Sequence, residues 1–409
     1  MIPFSPPKID QKTIDAVVEV LQSGWITTGP VTRLFEQRLT CYNGNPNTLC
    51  VSSATAGLEL MLRWYGVGLG DEVILPAYTY AATGNVILHL GAKPVFVDVD
   101  PNFMISLEEI QKALTSHTKA IIPVDIGGMP ADYEPMMHLV TSESTKKIFI
   151  PSNKIQEKLG RPLILSDAAH SLGAVYKNKK TGNHADISIF SFHAVKNLTT
   201  GEGGAIALNL PNPFDNSEIY EYLKVYALHG QSKDAFNKSK RNGWEYDILC
   251  PGYKANMPDI LAAIGLVEIE RYQSETLPKR QSIFNFYSQA LIDQPGVILP
   301  IYQTPTKTSS YHLYMLRLKG YNNLQRDRMI QKLYDEGIAV NIHFKPLPMM
   351  SYYKKLGYHI SEYPMAYHLY ENEISLPVYY TLNQDNMDYI MEKLIHLMRV
   401  RQYNNASYQ

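Results

Sequence analysis

Four short stretches carry residue types that could do chemistry together. The first is Ile187-Ser188-Ile189-Phe190-Ser191-Phe192-His193-Ala194-Val195-Lys196-Asn197, followed closely by the tight run Thr199-Thr200-Gly201-Glu202-Gly203-Gly204. A lysine held among Phe192, Ala194 and Val195 is partly desolvated, which lowers its pKa and frees the amine as a nucleophile for a carbonyl. A solvated surface position is lysine's more ordinary fate. The second stretch, Leu163-Ile164-Leu165-Ser166-Asp167-Ala168-Ala169-His170, is an apolar strand that delivers a carboxylate at its C-terminal end. Ligands of open parallel sheets bind there, and such a carboxylate needs a cation or hydrogen-bond donors. A helix cap is the plain alternative for Asp167. The third, Val51-Ser52-Ser53-Ala54-Thr55-Ala56-Gly57, precedes a helical pattern. Free N–H groups and the positive end of the helix dipole make a phosphate site there, although Ser and Thr are favoured as caps in any case. The fourth, Pro76-Ala77-Tyr78-Thr79-Tyr80-Ala81-Ala82-Thr83, places an aromatic where a strand ends, able to stack on a flat ring.

Each signal is weak alone, but one cofactor needs all four. Pyridoxal phosphate requires a lysine for its aldehyde, an acidic partner for its pyridinium nitrogen, a phosphate cup and a flat surface against the ring. Gly66, Gly68 and Gly70 follow a helix with the wrong spacing for GxGxxG, so a nicotinamide dehydrogenase lacks its fingerprint. His117, His138, His359 and His396 share no metal-ligand spacing and read as surface residues.

Positioning these groups calls for alternating strands and helices. Strands are predicted at Val73–Leu75, Pro94–Val99, Ala120–Val124, Leu163–Leu165, Ile187–Phe192 and Ala205–Leu208, with helices at Leu58–Tyr65, Asn85–Leu90 and Leu107–Leu114. Ser106 and Glu109 have capping-box spacing before the last of these. Ile14, Val17, Val18 and Leu21 mark an earlier helix stopped by Gly24. Runs this apolar imply a mainly parallel sheet covered on both faces. The texture changes near residue 255. A long helical stretch over Pro258–Leu291 is followed by a strand at Tyr311–Leu318, a helix at Gln325–Tyr334, a strand at Ala339–Phe344 and a terminal helix near Asp385–Val400. This reads as an α/β protein with a large domain over 1–255 and a smaller α+β domain over 256–409. The polar, Lys-rich stretch Ser142–Arg161 reads as a surface insertion.

Bulk properties are consistent with that reading. At 409 residues, 45% hydrophobic and 19% charged, the chain is globular. Lys+Arg of 38 against Asp+Glu of 39 argues against nucleic acid as a bulk electrostatic partner. Cys41, Cys50 and Cys250 show no CxxC spacing, which fits a reducing compartment. The N-terminal residues have no signal-peptide pattern and no run is long enough to span a bilayer, so a soluble cytoplasmic protein is expected.

In order along the chain, SGWITTGP from Ser23, SSATAG from Ser52, GAKPVFVD from Gly91, DAAH from Asp167, SFHAVKN from Ser191, GEGG from Gly201, GYKANM from Gly252 and HFKP from His343 resemble the DegT/DnrJ/StrS sugar-nucleotide aminotransferases nearly end to end. Within the family, SGWITTGP, SSATAG and GYKxN are most similar to the enzymes that make UDP-4-amino-4-deoxy-L-arabinose. The resemblance implies pyridoxal-phosphate fold type I, a seven-stranded sheet and a homodimer with shared sites. It casts Lys196 as the lysine that condenses with the cofactor and Asp167 as the partner of the pyridine nitrogen. His170 would contact the ring oxygen, and Ala54, Thr55 and Ser191 would form the phosphate cup. Tyr80 would stack on the ring, and Lys254 would reach the phosphate in the neighbouring subunit. Thr28 and His343 would bind substrate. Glutamate would give its amino group and leave as 2-oxoglutarate, and a keto-sugar nucleotide, with a 4-keto carbon, would receive it. Lys196 would act as nucleophile and then as general acid/base. Ser166 stands where many relatives have Glu. A sugar dehydratase of the same fold carries histidine at the lysine position, which Lys196 disfavours. The intact set of Lys196, Asp167 and Thr55 argues against a ligand-binding paralogue without activity.

Overall fold

The computed structural model describes residues 1–233 and 245–406. Its main sheet has seven strands: β1 (Asn47–Val51), β2 (Glu72–Pro76), β3 (Lys93–Val97), β4 (Thr118–Ile121), β5 (Leu163–Asp167), β6 (Ile187–Ser191) and β7 (Gly204–Leu208), in spatial order β1-β7-β6-β5-β4-β2-β3. Strand β7 runs against both its neighbours, and the other adjacent strands are parallel. Every residue of β4, β5 and β7 is buried, as a sheet covered on both faces demands.

Around it run α1 (Gln11–Ser23), α2 (Pro30–Asn43), α3 (Ala54–Trp64), α4 (Ala81–His89) and α5 (Leu107–Ala113). Gly24 ends α1 in the left-handed region at φ 72°, a conformation glycine adopts without strain. The apolar stripe of α1 does not face this chain's core: Ile14, Val18 and Leu21 are 45%, 40% and 53% exposed. Half of the expected capping box forms on α5. Ser106 Oγ accepts the Glu109 N–H at 3.3 Å, but the Glu109 carboxylate holds Lys112 and the Ser106 N–H goes to Asp98 O.

In the second half, the predicted stretch Pro258–Leu291 is two helices, α6 (Asp259–Arg271) and α7 (Leu277–Leu291), joined by a π-type turn at Tyr272–Thr276. A three-stranded antiparallel sheet contains β8 (Val297–Ile298), β9 (Tyr314–Leu318) and β10 (Glu373–Leu376). The strand expected from Tyr311 begins later because Tyr311 sits at φ 56°, outside the strand region, and the Leu313 N–H turns to Gly127 O at 3.1 Å. No strand forms over Ala339–Phe344. Asn341 makes a single bridge to Ser375, while the His343 N–H is taken by Glu373 Oε2 at 3.0 Å instead of a ladder carbonyl. The N-terminus joins this half too, with the Ile2 N–H on Gly337 O at 2.7 Å and the Ala339 N–H on Ile2 O at 3.0 Å. Among the described residues no helix is long and apolar enough to cross a membrane.

The Ser142–Arg161 stretch is more deeply anchored than a surface insertion. It forms helices Glu143–Ile148 and Lys154–Leu159, and Asn153 and Gln156 donate their side-chain amides to Tyr65 O at 3.1 and 2.9 Å. At its end, buried Arg161 grips buried Asp186 through two 2.7 Å hydrogen bonds. Removing one partner strands the other charge in the interior. Asp186→Ala is therefore expected to cost about 3–5 kcal/mol, read as a lower denaturation midpoint. Arg161→Met/Asp186→Leu should recover part of the loss, leaving the Ile164 N–H that Asp186 accepts at 2.9 Å and the Pro162 carbonyl that Arg161 reaches at 3.1 Å. An unchanged midpoint for Asp186→Ala would contradict this assignment.

Candidate active site

The carboxyl ends of β5 and β6 and the N-terminus of α3 converge on one cavity of about 320 Å³, whose walls include Ala54, Thr55, Tyr80, Asp167, His170, Ser191, Lys196 and His343. Eight of the residues expected from the sequence thus come together, although they span nearly three hundred positions of chain.

Asp167 ends β5 and is buried. Its Oδ2 accepts the Thr83 hydroxyl at 2.8 Å and its Oδ1 accepts the Ala169 N–H at 3.3 Å. Burial raises its pKa, and these two donors together with the positive charge of Lys196 oppose that rise. Thr83 is itself buried in α4 and lies 2.9 Å from the Thr79 hydroxyl. Lys196 hangs from the turn after β6, where its N–H donates to His193 O at 2.9 Å. Its Nζ has no hydrogen bond or ion pair among the described residues. Desolvation lowers the amine to about 8, with Asp167 pulling the other way. The site therefore holds an amine that gives up its proton near pH 8, more readily than an ordinary lysine, with a fixed carboxylate in the same cavity.

His170 has a defined tautomer. The Gly127 N–H donates to Nδ1 at 3.2 Å, which requires that nitrogen's lone pair and puts the proton of the neutral ring on Nε2. Burial, with Lys196 and His343 nearby, keeps the imidazolium from forming. The ring lies against His312, 4.4 Å between centroids, and 5.9 Å from Phe344. Tyr80 stands at the cavity mouth, 60% exposed, and leans on Phe344 at 5.6 Å.

At the α3 end, Ser53 Oγ accepts the Ala56 N–H at 3.1 Å. The Ala54 and Thr55 N–H groups have no partner among the described residues and remain available to an anion. A Cβ on Gly204, at the start of β7, would lie 2.5 Å from the Ala54 nitrogen. Only glycine lets this strand pass so close behind the helix start.

Two expected residues lie outside the cavity of their own chain. Lys254 is exposed and donates to Asn256 Oδ1 at 2.7 Å. The Asn256 side-chain amide donates to Thr28 Oγ1 at 2.5 Å, and Thr28 donates to Met257 O at 2.5 Å. Lys254 and Thr28 thus belong to one connected cluster. Sequence reasoning missed Thr83, His312 and the Phe344 ring. Thr83 was within a stretch read for its aromatic residues, and a buried Thr at helical spacing from Thr79 was the signal for it.

Known proteins are similar to this chain over nearly its whole length. Spr1654 from Streptococcus pneumoniae, assigned as a sugar aminotransferase and solved in PMP and PLP forms, is 44% identical in the PMP form, with a TM-score of 0.93 over 97% of this chain and 98% of its own. Helicobacter pylori PseC, an aminotransferase involved in the biosynthesis of pseudoaminic acid, is 28% identical, with a TM-score of 0.83 over 97% of this chain and 98% of its own. The spore coat polysaccharide biosynthesis protein SpsC of Bacillus subtilis is 34% identical over 97% of each chain. The cavity's donors fit pyridoxal phosphate: unpaired N–H groups at a helix start for the phosphate, a buried carboxylate for the ring nitrogen and an unpartnered amine for the aldehyde. With the DegT/DnrJ/EryC1/StrS aminotransferase family matching residues 7–395, the chain belongs to that family and pyridoxal phosphate is its cofactor.

Proposed function

We propose that the protein moves an amino group from glutamate to the 4-keto carbon of a sugar nucleotide, making an amino sugar for a cell-surface polysaccharide or lipid. The observation that carries this reading is the unpartnered Lys196 amine sharing a cavity with an Asp167 carboxylate fixed by Thr83 and Ala169. The named roles of SpsC and PseC support a sugar acceptor and a surface product. The bound cofactor supplies an electron sink for the carbon that loses its proton. Lys196 would hold the cofactor, and once an amino donor took its place the freed amine would carry the proton removed from the donor's α-carbon. Asp167 would supply the negative charge that keeps the ring nitrogen protonated. His170 would offer its Nε2–H to the ring oxygen. Ala54, Thr55 and Ser191 would hold the phosphate, Tyr80 would cover the ring, and His343 would line the sugar side. A screen of UDP-linked keto-sugars with glutamate, followed by 2-oxoglutarate release, tests the proposal. Turnover of 4-keto sugars is expected, and turnover of 3-keto sugars alone refutes it.

The proposed working unit is a homodimer with shared sites. It is supported by the outward apolar stripe of α1 and by the Thr28–Asn256–Lys254 cluster lying outside its own chain's cavity. A lysine reaching the partner's phosphate supplies a full charge and three donors. Lys196→Ala and Lys254→Ala should each be dead or weak alone. Mixed and re-equilibrated, they form heterodimers with one doubly defective and one intact site, so about a quarter to a half of wild-type activity returns. A mixture that contains heterodimers but regains nothing contradicts the shared site, as does a fully active Lys254→Ala.

A further inference from the structure

A chain of hydrogen-bonding groups runs from the interior to the sugar side of the cavity. Side chains alternate along β10, so Glu373 and Ser375 share a face while Ile374 and Leu376 enter the core. Glu373 and Ser375 are both fully buried. Ser375 Oγ lies 2.5 Å from Glu373 Oε1 and 2.9 Å from His343 Nδ1. Glu373 Oε2 accepts the backbone N–H of His343 at 3.0 Å, which ties the histidine's own segment to the carboxyl group. The His343 ring stacks on Phe4 at 5.3 Å and 24°, and it lines the cavity that contains Lys196. Its Nε2 has no partner among the described residues.

Among the described residues no cation forms an ion pair with the Glu373 carboxyl. Arg326, on helix Asn323–Asp335, is the nearby guanidinium. Its Nη1 donates to the carbonyl oxygens of Tyr370 and Glu373 at 2.6 and 3.0 Å, and its Nε donates to Asp327 at 2.7 Å. Tyr78, from the segment after β2, is the other titratable group beside it and stays neutral through burial. Burial raises Glu373 to about 8 and outweighs the Ser375 hydrogen bond, the His343 N–H and the Arg326 charge, which all pull the other way. Ser375 donates to Glu373 Oε1 when the carboxyl is ionised; with the proton on Oε1 that bond reverses, Glu373 donating to Ser375, Ser375 to His343 Nδ1, and the imidazole carrying its proton on Nε2.

We propose that Glu373, Ser375 and His343 form a proton relay that serves the keto oxygen of the sugar acceptor. The inference rests on the function proposed above. Replacing a carbonyl oxygen by nitrogen breaks the C–O bond and expels the oxygen as water. Of that water's two hydrogens, one comes directly from the attacking nitrogen. The other comes from His343 Nε2, while Nδ1 takes the Ser375 proton and Ser375 takes the Glu373 proton. The nitrogen's second hydrogen returns to the relay through solvent and restores Glu373, so no outside acid is consumed. The glutamate half-reaction loses its α-proton before any oxygen is handled; oxygen enters only afterwards, as the water that releases 2-oxoglutarate, where the relay runs in reverse. The relay therefore separates loss of the α-proton from the steps that make or break a C–O bond.

Glu373→Gln preserves the shape and hydrogen-bonding capacity of the site but has no proton to release. In full-length protein at pH 7, the infrared difference between wild type and Glu373→Gln should contain the C=O stretch of a protonated carboxyl, and its absence overturns the relay. Single turnovers of the holoenzyme, followed by cofactor absorbance, should show the discharge onto a UDP-linked 4-keto-pentose slowed ~10²-fold or more. Exchange of glutamate's α-hydrogen with solvent, which precedes any step at oxygen, should stay within about twofold of wild type. Ser375→Ala interrupts the chain without touching the carboxyl and should show the same split, with Ser375→Thr restoring it. Equal slowing of α-hydrogen exchange and of the discharge onto the sugar indicates structural damage and overturns the relay. A wild type that discharges onto no keto-sugar nucleotide overturns the proposed function and the relay together. A turning-over wild type beside an equally fast Glu373→Gln overturns the relay alone.

Discussion

Lys196→Ala is expected to abolish transamination while leaving a protein that still takes up pyridoxal phosphate. The substitution removes both the amine that holds the cofactor and the base that moves the proton, so turnover should fall by at least ~10³-fold. The features that bind the rest of the cofactor do not depend on it. The Ala54 and Thr55 N–H groups belong to α3, Asp167 is held by Thr83 and Ala169, and Tyr80 is braced by Phe344. Equilibrium dialysis should recover bound cofactor that is lost on denaturation and is not fixed by borohydride. Turnover within tenfold of wild type would overturn the assignment of Lys196.

Asp167→Asn should be the second most damaging change, with a different signature. An asparagine oxygen can still accept the Thr83 hydroxyl, so the local geometry and most of the cofactor affinity survive. The missing feature is the negative charge that keeps the ring nitrogen protonated. That charge matters most when electrons flow into the ring, which is a property of the transition state. The expected result is a loss of about 10²–10³-fold in kcat with a small change in cofactor Kd. A variant that loses cofactor affinity but keeps its rate constant contradicts this role.

The parts of the protein visible in the sequence were those governed by local rules. The buried strands announced themselves as apolar runs because both faces of the sheet are covered, and Asp167, Lys196 and the α3 start follow directly from strand ends. Gly24 marked the end of α1 through its left-handed conformation. What was hidden depended on long-range competition for backbone groups. The Ala339–Phe344 run has strand-like composition, but a side chain on β10 takes the His343 N–H and the ladder never forms. Tyr311–Leu313 reads as strand until Gly127 claims the Leu313 N–H. Arg161 looked like the end of a solvated stretch because its partner Asp186 is distant in sequence and appears only when β5 and β6 are adjacent. Thr83 was hidden for the same reason: its importance lies in Asp167, which the fold brings to it.

The central claim is that one lysine, Lys196, is the group through which this protein holds its cofactor and passes protons. Its most direct test is borohydride reduction of the cofactor-loaded protein followed by peptide mass mapping. The loaded protein should absorb near the visible edge, and reduction should fix the cofactor's added mass on the peptide containing Lys196 and on no other. Absence of the band, or fixation on a different lysine, would contradict the account.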